Sequence, residues 1–95
     1  MMHISQHQED PATLRLHLEG ILDGVHAAAL RDVVVEASER GIVRLVIDCG
    51  GLTGVDDAGA RLLADLRLRD ASFLELPVTV SWKLAQSESQ SLNRA

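Results

Sequence analysis

From Thr13 to Glu19 the chain alternates with period two. Leu14, Leu16 and Leu18 fall on one face, and Thr13, Arg15, His17 and Glu19 on the other. That spacing predicts a half-buried strand. His3 to Gln8 alternates more weakly and predicts a first strand, with Glu9-Asp10-Pro11-Ala12 as the turn of a hairpin. After Gly20-Ile21-Leu22-Asp23-Gly24 the period becomes helical. Leu30, Val33, Val34 and Ala37 share one stripe of a helix from about Val25 to Arg40, closed by Gly41. Ile42 to Cys49 is almost continuously apolar, broken by Arg44 and Asp48, and predicts a central strand buried on both sides. Gly59, Leu62, Leu63 and Leu66 make the stripe of a second helix over about Ala58–Arg69. A last strand lies between Phe73 and Trp82, clearest at Val78, Val80 and Trp82, with Pro77 at its start or on an edge. Lys83 to Ala95 is polar and forms either a short helix through Leu84, Ala85 and Leu92 or a mobile tail.

The order β-β-α-β-α-β(-α) is that of an α/β protein. Two right-handed crossovers in succession put both main helices on the same side of a four-stranded mixed sheet. The other side is then comparatively polar. The 95 residues make one domain, with a core over about residues 3–82.

Composition narrows the function. With one Phe, one Trp and no Tyr, the core is aliphatic and offers no stacking platform for single-stranded nucleic acid. A net charge of −5 argues against a nucleic-acid partner and against docking on anionic lipid. No apolar run is long enough to cross a membrane, and the first residues lack a signal-peptide pattern. Cys49 stands alone, which fits a reducing, cytoplasmic setting and an inert core thiol. The four histidines are scattered, so no metal site and no cofactor are expected.

The most informative stretch is Leu45 to Gly59. It reads as a buried strand, a glycine-rich turn, the adjacent carboxylates Asp56 and Asp57, and a helix start. A phosphate loop would end in Lys-Ser/Thr, whereas this turn presents two carboxylates where a phosphate would lie. Acid–base catalysis would need a pocket that raises one carboxylate pKa, and adjacent residues at a helix start diverge. The simpler reading makes one of them, Asp57, the helix cap. Gly59 permits close packing or the approach of a partner.

Leu16-x-Leu18-Glu19-Gly20-x-Leu22-Asp23, followed by Val46-Ile47-Asp48-x-x-x-Leu52-Thr53-x-Val55-Asp56-x-x-Gly59, resembles the STAS domain. That is the family of bacterial anti-sigma-factor antagonists and related modules. The resemblance covers roughly residues 3–82. It implies a non-catalytic protein-interaction module that acts in transcription regulation and signalling. The family's second motif places a Ser or Thr at the helix start, which a kinase-type anti-sigma factor phosphorylates to break the complex. Asp56 matches the family's acidic residue and Gly59 its glycine. Asp57 and Ala58 stand where the hydroxyl would be, and neither can be phosphorylated by a Ser/Thr kinase. Thr53 is a nearby hydroxyl off the family's position. The implied partner surface comprises Asp23, Gly54, Asp56, Asp57, Ala58 and Gly59. The module is then non-switching or phospho-mimicking. The alternative within the family is the STAS subunit of a lipid-transport ABC system, which stabilises its ATPase. A kinase-type anti-sigma factor and an ABC-transporter ATPase are therefore the two expected partner classes.

Overall fold

The computed structural model describes residues 2–92, with side chains described through residue 86. Its elements are β1 (His3–Asp10), β2 (Thr13–Leu22), α1 (Gly24–Glu39), β3 (Arg44–Val55), α2 (Asp57–Leu68), β4 (Ser72–Leu74) and α3 (Val78–Leu92). The sheet order is β1-β2-β3-β4. β1 pairs antiparallel with β2, and β2–β3 and β3–β4 are parallel. The expected four-stranded mixed sheet is therefore present, with one further helix at the end.

The hairpin forms as the pattern requires. Leu14, Leu16 and Leu18 are buried while Arg15 and Glu19 face out. They pack with Ile47, Leu30 and Leu63, all fully buried. Each buried leucine contributes about 1.5–3 kcal/mol relative to exposure. α1 ends where the glycine predicts. Gly41 takes φ 92°, and the next amide, of Ile42, donates to the Ala37 carbonyl at 3.1 Å.

Three sequence expectations are corrected. First, β3 does not end at Cys49; it continues to Val55. Gly50 and Gly51 lie within the strand and not in a turn. Two register shifts against β2, at His17/Glu19 and Gly20/Ile21, absorb extra residues as bulges. Gly51 is needed there, since a Cβ would come within 2.6 Å of the Glu19 Cγ and 3.1 Å of the Leu18 carbonyl oxygen. Second, β3 is not buried on both sides. Ile47 and Cys49 are buried, but Val46 and Asp48 are half-exposed, because the other sheet face is uncovered.

Third, the last strand is only Ser72–Leu74, and Val78, Val80 and Trp82 belong to α3. The helical period wins because Val80 and Leu84, four apart, are both buried, while Val78 and Trp82 point outward. Pro77 precedes the helix, its carbonyl accepting from the Ser81 amide at 2.8 Å. A residue without an amide donor costs nothing at a helix start. Lys83–Leu92 continues this helix, the first of the two alternatives for this stretch; residues 93–95 lie outside the described residues.

Candidate site at the paired helix starts

Because β2 and β3 run parallel, the helices that follow them begin at the same end of the sheet. Leu22 and Val55, the last residues of the two strands, are register partners. Asp23 and Asp56 come next, each in extended conformation before its helix. The Asp56 amide donates to the Leu22 carbonyl at 3.1 Å, which fixes the two starts side by side.

Asp23 caps α1. Its Oδ1 accepts the His26 backbone amide at 2.9 Å and lies 2.7 Å from His26 Nδ1. The backbone bond, and then the ring, hold the Asp23 carboxyl below the ordinary carboxylate value. Asp56 caps α2, through Oδ1 and the Gly59 amide at 2.8 Å. Its other oxygen, Oδ2, accepts the Gly24 amide at 2.9 Å, the first residue of α1. The cap is therefore Asp56 and not Asp57. Asp56 is the last extended residue, and an N-cap must have that backbone; Asp57 is already helical.

Asp57 points away. Its side chain is 82% exposed, and its Oδ1 lies 3.2 Å from Lys83 Nζ of α3. Ala58 is exposed beside it. Gly59 is buried, and a Cβ there would collide with the Leu22 carbonyl oxygen, so its role is close packing of α2 on β2. At Gly54 an added Cβ would meet nothing within 4 Å. That glycine belongs to a shallow groove lined by Thr53, Val55, Thr79, Val80 and Lys83, which neither carboxylate lines. Thr53 lies in β3 and is exposed.

The structure thus brings Asp23, Asp56 and Gly59 together as frame, and leaves Asp57, Ala58 and Gly54 on the surface. Sequence reasoning missed the contribution of α3. Lys83 meets Asp57, and the exposed Trp82 stands next to it along the helix. The signal was present as two pairs spaced by four after a proline, Val78/Trp82 and Val80/Leu84.

Elsewhere, the uncovered sheet face carries His17 between Glu19 (3.0 Å) and Asp48 (3.2 Å). These carboxylates, Glu19 foremost, raise the His17 pKa. Among the described residues no group of three or more His, Cys, Asp or Glu is placed to hold a metal. Cys49 is buried, and desolvation pushes its thiol up to about 11, so it stays protonated and unreactive. Among the described residues no helix is long and apolar enough to cross a membrane.

Residues 5–76 match the family described as "Mlab, STAS domain". No curated protein matches the chain. Among solved structures, the anti-sigma factor antagonist SpoIIAA in its unphosphorylated form superposes with a TM-score of 0.72 at 16% identity, covering 97% of this chain and 96% of that one. The Bacillus cell fate determinant SpoIIAA in its phosphorylated form gives 0.69 at 16% identity, with coverages of 97% and 98%. Mglu gives 0.62 at 25% identity, over 78% of this chain and 19% of that one. At 16% identity the SpoIIAA structures establish a common fold.

Proposed function

This chain belongs to the STAS domain family, and from that premise we propose that it is a non-catalytic protein-interaction module of the anti-sigma-factor-antagonist kind, working without a phosphorylation switch. One observation carries the reading. The start of α2 is capped by Asp56 and tied by it to α1, yet it presents the exposed Asp57 and Ala58, neither of which bears a hydroxyl. The docking surface combines Asp57, Ala58 and Gly54 with the outward face of α3 at Thr79, Trp82 and Lys83. Asp57 supplies one charge where a phosphoserine carries about −1.5 to −2. Lys83 offsets part of that charge. Asp57 is therefore a poor imitation of the phosphorylated state, and the module binds constitutively. An acid–base role is disfavoured because both oxygens of Asp56 are engaged by backbone amides.

The second reading is a STAS subunit that steadies the ATPase of a lipid-transport ABC system. The absent hydroxyl supports it as well: neither Asp57 nor Ala58 can take a phosphate from a Ser/Thr kinase, and such a subunit needs no phosphorylation switch. Affinity capture from the native cells, wild type against Asp57→Ser, separates the two. The antagonist reading predicts capture of a kinase-type anti-sigma factor, and phosphate incorporation into the Ser variant alone. Capture of an ATPase and a permease, indifferent to the substitution, transfers the assignment to the transport role. Capture of neither class sinks both.

A further inference from the structure

The two edges of the sheet are unlike. β4 is three residues long, whereas β1 is eight, and among the described residues no strand lies beyond it. Exposed edges are ordinarily blunted by lysines, prolines, bulges or inward charges. The stretch His3-Ile4-Ser5-Gln6-His7-Gln8 has no Lys, Arg, Asp, Glu, Pro or Gly. Its register against β2 is unbroken until the shift between Gln8 and Asp10. Alternate residues of this stretch bond to β2, and the residues between them turn their amides and carbonyls outward, toward any chain that can lie alongside.

We propose that β1 pairs antiparallel with β1 of a second copy, joining two four-stranded sheets into one. The occupant follows from the complementarity of the strand's own side chains. With the two-fold at Gln6, residue 3 of one copy lies opposite residue 9 of the other, and residue 5 opposite residue 7. His3 then meets Glu9, and Ser5 meets His7. These four positions share one sheet face. His3, Ser5 and His7 are the register partners of Glu19, His17 and Arg15, and Glu9 reaches Arg15 at 2.6 Å on that side. On the other face Ile4 meets Gln8, and Gln6 meets Gln6, whose amides can bond to each other. Ile4 is half-buried in one copy, and the pairing covers it further. In this antiparallel register each side chain that can donate meets one that can accept: His3 with Glu9, Ser5 with His7, and Gln6 with Gln6. The proposal does not depend on the partner surface at α2.

The test is sedimentation equilibrium of the full chain at neutral pH from about 10 µM to about 1 mM, the range of weak specific association. Gln6→Lys and Gln6→Glu each place like charges at the two-fold, on an exposed side chain. Wild type should move toward the dimer mass. Each variant alone should associate about fivefold more weakly, since like charges directly opposite are unfavourable. An equimolar mixture of the two variants should restore the dimer. Should either variant lose its native circular dichroism, His3→Asp, which would face Glu9, takes its place with the same expected loss. A wild type that stays monomeric to about 1 mM overturns the proposal. So does a dimer that these substitutions leave unchanged.

Discussion

The starts of α1 and α2 use the same device at different reach. At α1, Asp23 serves its own helix, spending its carboxylate on the backbone and ring of His26, three residues on. At α2, Asp56 serves two helices, one oxygen on Gly59 and the other on Gly24, 32 positions away in sequence. The first is a local cap and the second ties one crossover to the other. The difference explains why a neighbouring carboxylate, Asp57, is free to face solvent. The frame is already closed behind it.

The largest effect should come from the contact that lets the two starts approach. Gly59→Ala drives a Cβ into the Leu22 carbonyl oxygen, and overpacking of this kind costs about 1–3 kcal/mol. Urea unfolding should show this as a lower midpoint with an unchanged slope. Asp56→Ala comes next. Loss of an N-cap costs about 0.5–2 kcal/mol, and the Gly24 amide loses its partner as well, so the upper end is expected. Asp56→Asn keeps an acceptor for only one of the two amides and should recover part of the loss. Asp23→Ala should cost less than Asp56→Ala; equal losses would break the distinction between a local and a bridging cap. Asp57→Ala, an exposed change, should stay within about 0.5 kcal/mol of wild type.

Acid sharpens the comparison further. The Asp23 carboxyl is lowered from 3.8 by the His26 amide and then its ring. Its contribution is complete above that unfolded value and is lost as pH falls through the lower folded value. Asp23→Asn should therefore flatten the acid limb of the stability curve. His17 has the opposite sign. Raised from 6.5 by Glu19 and Asp48, it contributes fully below 6.5 and the gain disappears as pH rises through the higher folded value. His17→Gln should remove that small decline on the alkaline side. Urea midpoints measured against pH check both, and an unaltered curve in either variant refutes the corresponding contact.

Much of this was legible in the chain. The Leu14/Leu16/Leu18 alternation and the Leu62/Leu63/Leu66 stripe are strong because burial enforces them. The Asp-plus-glycine spacing around residues 56–59 pointed to the capped start of α2. What was misread shares a cause. Gly50-Gly51 reads locally as a turn, but pairing with β2 turns it into a bulged strand. Val78-Thr79-Val80 reads locally as a strand, but the fit of Val80 and Leu84 into the core selects a helix. Local propensity yields to tertiary contact in both places. The choice between Asp56 and Asp57 as cap turned on one residue of strand length, which the sequence pattern does not resolve.

The central claim is that Asp56 holds the frame while Asp57 faces the partner. The most direct measurement is the affinity of the captured partner for Asp57→Arg and for wild type, by calorimetric titration at matched salt. The account predicts a loss of at least about tenfold, which is about 1.4 kcal/mol, with the urea midpoint unchanged. Equal affinity for the two proteins would contradict it and move the docking surface away from the start of α2.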